Sequence, residues 1–178
     1  MQTRWINRKV FGGTEMSKFL TEHEYRNIDN IYVMLITPLK YESDVLKEHG
    51  YDPLIVAPAG LVHDLESVPR YVKTKYGWLT KVVNFLLSPI LASIFWLLSN
   101  TSKRGGTIHD CGYRKDFRPE IPKWLWDLVY LEIMELRKNK KWKRKAKYKA
   151  VDWFGKGSFG IYSVNSTYEE ITGSATKP

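Results

Sequence analysis

The sequence predicts an α+β fold: a small N-terminal β-sheet, then a mainly helical core, with an apolar helical insert between them. Three observations predict it. Branched and aromatic runs bounded by Pro, Gly and acidic residues come first, at Ile31–Tyr41 ("IYVMLITPLKY") and Pro53–Gly60 ("PLIVAPAG"). An uncharged stretch from Val82 through Ser102 follows. From Ile108 the apolar residues recur at helical spacing.

Taken in order, residues 1–30 are polar and mixed in charge, broken by Gly12-Gly13, and read as an extension outside the core. The two strand-like runs are expected to pair, with residues 47–52 near their connection. "LVHDLESVPR", Leu61 to Arg70, reads as a loop leaving a strand, because Pro69 holds the residue before it extended. The insert occupies about 71–102. Beyond it come a short helix through "IHDCGYRKDF", a break at Pro119 and Pro122, a helix "KWLWDLVYLEIMELRKN" and a basic helix over about 137–150 within "RKNKKWKRKAKYKAVDWFG". A single domain over 31–162 accounts for the length, and the small polar tail 163–178 is expected to be mobile.

The formal net charge of +9 calls for acidic partners, either nucleic acid phosphates or an anionic membrane surface. Cys111 is the one cysteine, which excludes an intramolecular disulfide and a thiolate zinc cage within one chain. The N-terminal residues lack the apolar run and small-residue cleavage site of a secretory signal, so a cytoplasmic location is expected.

Chemistry concentrates around "RGGTIHDCGYRKD", Arg104 to Asp116. In the helix that follows, Asp127 falls within an apolar arc formed by Trp124, Tyr130, Leu131 and Met134. A carboxylate there needs a partner, since its desolvation costs several kcal/mol unless compensated. His109 is the natural one. Asp127 would then fix the imidazole tautomer and leave the other ring nitrogen to act as a general base. Asp110 points elsewhere by one helix step, and with Asp64 it supplies oxygen ligands suited to Ca²⁺. Tyr113, one turn after His109, either joins this site or packs beside it. Arg70 and Arg114 are candidates for holding anionic substrate groups. The purely structural alternative has the His-Asp pair capping a helix and Asp127 satisfying a buried Tyr or Arg.

A site shared by Asp64 and His109 argues against a single membrane span between them. Ser88-Pro89 instead divides the insert into two arms of about ten residues, each near 15 Å long. Such arms enter one leaflet without crossing, with Trp78, Phe85, Leu86, Ile90, Phe95 and Trp96 as the inserting side chains. A buried helical hairpin or an oligomer contact is the competing reading. From Arg137 to Lys149 nine of thirteen residues are basic, while Trp142, Ala146, Ala150 and Trp153 keep an apolar face. This helix suits anionic lipid, or nucleic acid without base-specific readout.

Three segments, "VAPAGLVHDLESVPR", "IFWLLSNTSKRGGTIHDCGYR" and "WDLVYLEIMELRKNKKWKRKAKYKAVDWFG", together resemble the phage and prophage family known as domain of unknown function 1353. The matching positions are Asp64, Ser67, Val68, Pro69, Arg70, His109, Asp110, Tyr113 and Asp127. That family name carries no established function. It implies a phage-encoded protein in the host cytoplasm, peripheral to the inner membrane or associated with the virion, and a phage or host protein as partner.

The stretch "IHDCGYRKD" is also similar to the His-Asp-x-x-Tyr-Arg helix of microbial phospholipases A2. This similarity implies His109 as base, Asp110 as calcium ligand and Asp127 as the residue that orients the base, with Asp64 as a further calcium ligand. The order His63, His109-Asp110, Asp127 imitates that of HD-type metal phosphohydrolases. The function expected is a membrane-associating lipid ester hydrolase, against a non-enzymatic phage protein with a buried His/Asp network.

Overall fold

The protein, seen in a computed structural model, is described over residues 18–29, 32–64 and 103–172. The apolar insert with its six inserting side chains, together with Ser67, Val68, Pro69 and Arg70, lies outside these described residues.

The α+β expectation holds. Strands β1 (Lys18–Phe19), β2 (Tyr25–Asn27), β3 (Tyr32–Leu35), β4 (Leu39–Glu42), β5 (Leu54–Ala57) and β6 (Val62–Asp64) form two three-stranded antiparallel sheets. Their orders are β1-β4-β5 and β2-β3-β6. Helices follow: α1 (Asp44–Glu48) between β4 and β5, then α2 (Lys103–Gly112), α3 (Lys123–Leu136), α4 (Lys141–Phe154) and α5 (Tyr168–Thr172).

The run Ile31–Tyr41 is two strands rather than one. Pro38, which has no N–H to give a ladder, precedes β4, and β3 and β4 belong to different sheets. The expected pairing of the two apolar runs is present as β4 with β5, in the register Leu39↔Ala57 and Tyr41↔Ile55. Alternation explains the faces. Leu39, Tyr41, Ile55 and Ala57 are buried, while Lys40 between the first two is exposed. Leu61–Asp64 is largely strand: β6 pairs with β3, with Val33 opposite His63.

Two stretches assigned from sequence to the chain's margins join the core. Phe19 packs against the main apolar cluster, and β2 forms an edge of the second sheet. In the tail, Ser163 donates its hydroxyl to Asp116, and Tyr168 donates to Asp29 at 2.7 Å. Side-chain bonds to distant segments tie down a composition that reads as loose.

Helix α3 is the centre of the molecule. Leu125, Trp126, Val129, Ile133 and Met134 are all fully buried, each worth about 1.5–3 kcal/mol of transfer free energy. Trp124 departs from the expected apolar arc: it is half exposed and meets His49 edge to face. Glu132 reaches from α3 to the start of α1, accepting from Asp44 N–H at 2.8 Å, Val45 N–H at 3.1 Å and the Ser43 hydroxyl at 2.7 Å. A carboxylate at a helix N-terminus satisfies orphan amides and suits the dipole there.

Candidate active site

Helix α2 presents its two functional faces to different neighbours. A side chain at Gly112 would collide with the Trp126 ring, so the missing Cβ is what lets α2 and α3 approach closely. One turn earlier on the same side, His109 meets α3. Its Nε2 lies 3.2 Å from Asp127 Oδ1, the contact expected from sequence, and both side chains are buried, at 2 % and 1 % exposure.

Asp127 accepts more than the imidazole. The Tyr113 hydroxyl donates to Oδ1 at 2.6 Å, and Lys123, one turn back on α3, donates its ammonium to Oδ2 at 2.7 Å. Lys123 also bonds the Val151 carbonyl of α4 at 3.0 Å. The His109 ring lies tilted against those of Tyr113 and Tyr130, with centroids 4.1 and 4.9 Å away. Burial favours neutral forms on both partners, yet the hydrogen bonds from His109, Lys123 and Tyr113 hold Asp127 below the usual carboxylate range. Burial likewise opposes charge on His109, but the neighbouring Asp110 and Asp127 carboxylates outweigh that and hold it above its ordinary value. Tyr113 is pushed upward by burial and by Asp127, so it serves as a proton donor in this group.

Asp110 does not turn away as the helix step suggested. Its Oδ1 faces His109 Nδ1 at 3.6 Å and its Oδ2 faces His63 Nδ1 at 3.9 Å, so it stands between two histidines. It is also the outlet of the group, with 19 % of its side chain exposed. Asp64 is half-buried at the end of β6, and its carbonyl oxygen accepts from His63 Nδ1 at 2.8 Å.

On the sheet side of α2, Thr107 Oγ1 lies 3.3 Å from His63 Nε2 and 2.9 Å from His23 Nε2. Its hydroxyl is also 3.1 Å from the Lys103 carbonyl. Burial is the main cause of the lowered proton affinity of both histidines, and each has nearby cations. His23 falls to about 4, helped by His63, Arg104 and Lys103. His63 is lowered despite Asp110, with Arg114 adding to the effect.

Arg114 is not a surface anion contact. It is buried, donates to the Val62 carbonyl and lies over the Tyr162 ring, so it ties α2's end to β6. The order His63, His109-Asp110, Asp127 does assemble in one neighbourhood, yet His63 spends Nδ1 on a carbonyl and Nε2 on Thr107. Metal ligation needs a bare nitrogen, which counts against the phosphohydrolase analogy. Among the described residues no group of three or more His, Cys, Asp or Glu is disposed to hold a metal ion. No described helix is long and apolar enough to cross a membrane.

Sequence reasoning missed His23, Thr107 and Lys123. Lys123 had a readable signal, since it stands four residues before Asp127 on one helix. His23 had none, being 84 residues from Thr107 in a segment without periodicity. Comparison with known protein families, curated proteins and solved structures finds no match for this chain.

Proposed function

We propose that the chain is a lipid ester hydrolase in which His109 is the general base. The observation that carries this reading is the 3.2 Å contact between His109 Nε2 and Asp127 Oδ1, which orients the ring and turns Nδ1 toward Asp110. Nδ1 looks toward the Asp110 carboxylate across a gap slightly longer than a hydrogen bond, at a partly exposed edge of the group. A water held there gives its proton to Nδ1 while its oxygen adds to the ester carbonyl. The tetrahedral adduct then collapses, and the leaving alkoxide takes the proton back from His109. Calcium is the cation that the similarity to phospholipases implies for Asp110 and Asp64.

The phage family resemblance in Asp64, Arg70, His109, Asp110, Tyr113 and Asp127 adds a setting: a phage-encoded protein working in the host cytoplasm. A second reading has its own support. His109 and Asp127 are almost wholly buried and Asp127 has three donors, which suits a structural network in a non-enzymatic phage component.

The test is release of fatty acid from phospholipid vesicles, with Ca²⁺ or chelator, across pH, by wild type, His109→Ala and Asp127→Asn. Turnover by wild type that falls at least about a hundredfold in both variants supports the hydrolase. No turnover by folded wild type under any of these conditions removes it and leaves the network reading.

A further inference from the structure

We propose that the outer face of α4 docks on an anionic lipid bilayer; the idea rests on the lipid hydrolase reading and names how that site would meet its substrate. Of the nine basic residues between Arg137 and Lys149, Lys147 and Arg144 turn toward α3. Lys147 is buried with its amine 3.2 Å from the Tyr130 hydroxyl, and Arg144 is paired with Glu135 at 2.7 Å. Of the expected apolar face, Trp142 is 45 % exposed, and Lys147 and Val151 pack against α3.

What remains outward is ordered. Lys141, Lys145 and Lys149 are exposed and repeat every fourth residue, a slanting row that rises about 12 Å along the helix. Trp142 borders that row, with the Lys143 ammonium 5.6 Å from its ring centroid. Asp152 is the single acid among the fourteen residues of α4. Cations in line satisfy a sheet of anionic headgroups, and an exposed indole with a polar edge suits the zone just beneath them. One isolated indole offers a nucleic acid strand a single stacking platform, whereas successive bases call for several.

The position of α4 gives the surface its purpose. Near its C-terminal end the Val151 carbonyl holds Lys123, whose ammonium holds Asp127. Gly155 then passes so close to the Tyr113 hydroxyl that a Cβ there would clash with it, and would crowd Lys123 Cε at 3.1 Å. Headgroups along α4 therefore end beside the elements that carry the dyad.

Co-flotation of the full chain with vesicles of phosphatidylcholine alone, or mixed with phosphatidylglycerol, tests this, with duplex DNA as competitor. Expected are binding to the anionic vesicles, a loss of more than about tenfold in the Lys141→Glu/Lys145→Glu/Lys149→Glu chain, and a several-fold loss in Trp142→Ala. Both variants should keep the wild-type circular dichroism, and His109→Ala should float like wild type. Failure of wild type to float, flotation by the charge-reversed chain equal to wild type, or preference for DNA over vesicles overturns the proposal. Hydrolysis of a short-chain phospholipid dispersed as monomers reads the dyad alone, so it separates a failed surface from a failed hydrolase.

Discussion

Helix α2 carries two histidine environments that differ in sign. On its α3 face, His109 lies within reach of two carboxylates and its proton affinity is raised. On its sheet face, His63 is equally buried, yet its ring nitrogens meet a carbonyl and a hydroxyl and its affinity is lowered. Burial alone pushes both histidines the same way. The difference comes from a carboxylate at hydrogen-bond distance on one side and at 3.9 Å on the other.

Removing the carboxylate breaks the contrast most strongly. Asp127→Ala leaves His109 and Lys123 facing a gap, and is expected to lower unfolding free energy by about 3–5 kcal/mol in urea titrations. Tyr113→Phe deletes one charge-assisted bond to the same oxygen that His109 uses, with an expected loss of about 1.5–3 kcal/mol by the same measurement. On the neutral side the stakes are smaller. Thr107→Val removes a hydroxyl between uncharged rings and is expected to cost about 1 kcal/mol.

The contrast is sharpest in its pH dependence. Because His109 is raised, its pairing contributes fully below the ordinary histidine value of 6.5 and is lost as pH rises through its folded value. Asp127, being lowered, contributes above 3.8 and loses that contribution as pH falls through its folded value. His63 runs opposite to His109: its stabilisation is present above 6.5 and is lost as pH falls toward its lowered value. Chemical denaturation between pH 4 and 8 should therefore show a shallower acid-side loss in His63→Asn than in wild type. An unchanged acid limb would mean that His63 is not held neutral.

The charged half of this comparison was legible in the sequence and the neutral half was not. Helical periodicity sets Asp127 on an apolar face, and a buried carboxylate demands a partner, so His109 follows from two elementary rules, while for Tyr113 bonding and packing stayed equally open. His23, Thr107 and His63 come from three elements, far apart in sequence and with no common period, and strand pairing brings them together. Lys147 and Trp142 exchange the places that hydropathy assigns them. A lysine stem is long and apolar enough to be buried once Tyr130 receives its amine, whereas an indole can remain outside. Pro38 explains the strand boundary that a continuous apolar run concealed.

Thr107 has one hydrogen and three claimants. While His63 gives its Nδ1 proton to the Asp64 carbonyl, its Nε2 accepts, and the threonine hydrogen belongs there, with His23 donating into the same oxygen. Adding a proton to His63 turns that acceptor into a donor. The hydroxyl must then rotate its hydrogen onto the Lys103 carbonyl at 3.1 Å. Thr107, one turn into α2, is thus a two-position rotor, and its setting records whether the buried His63 imidazole is charged.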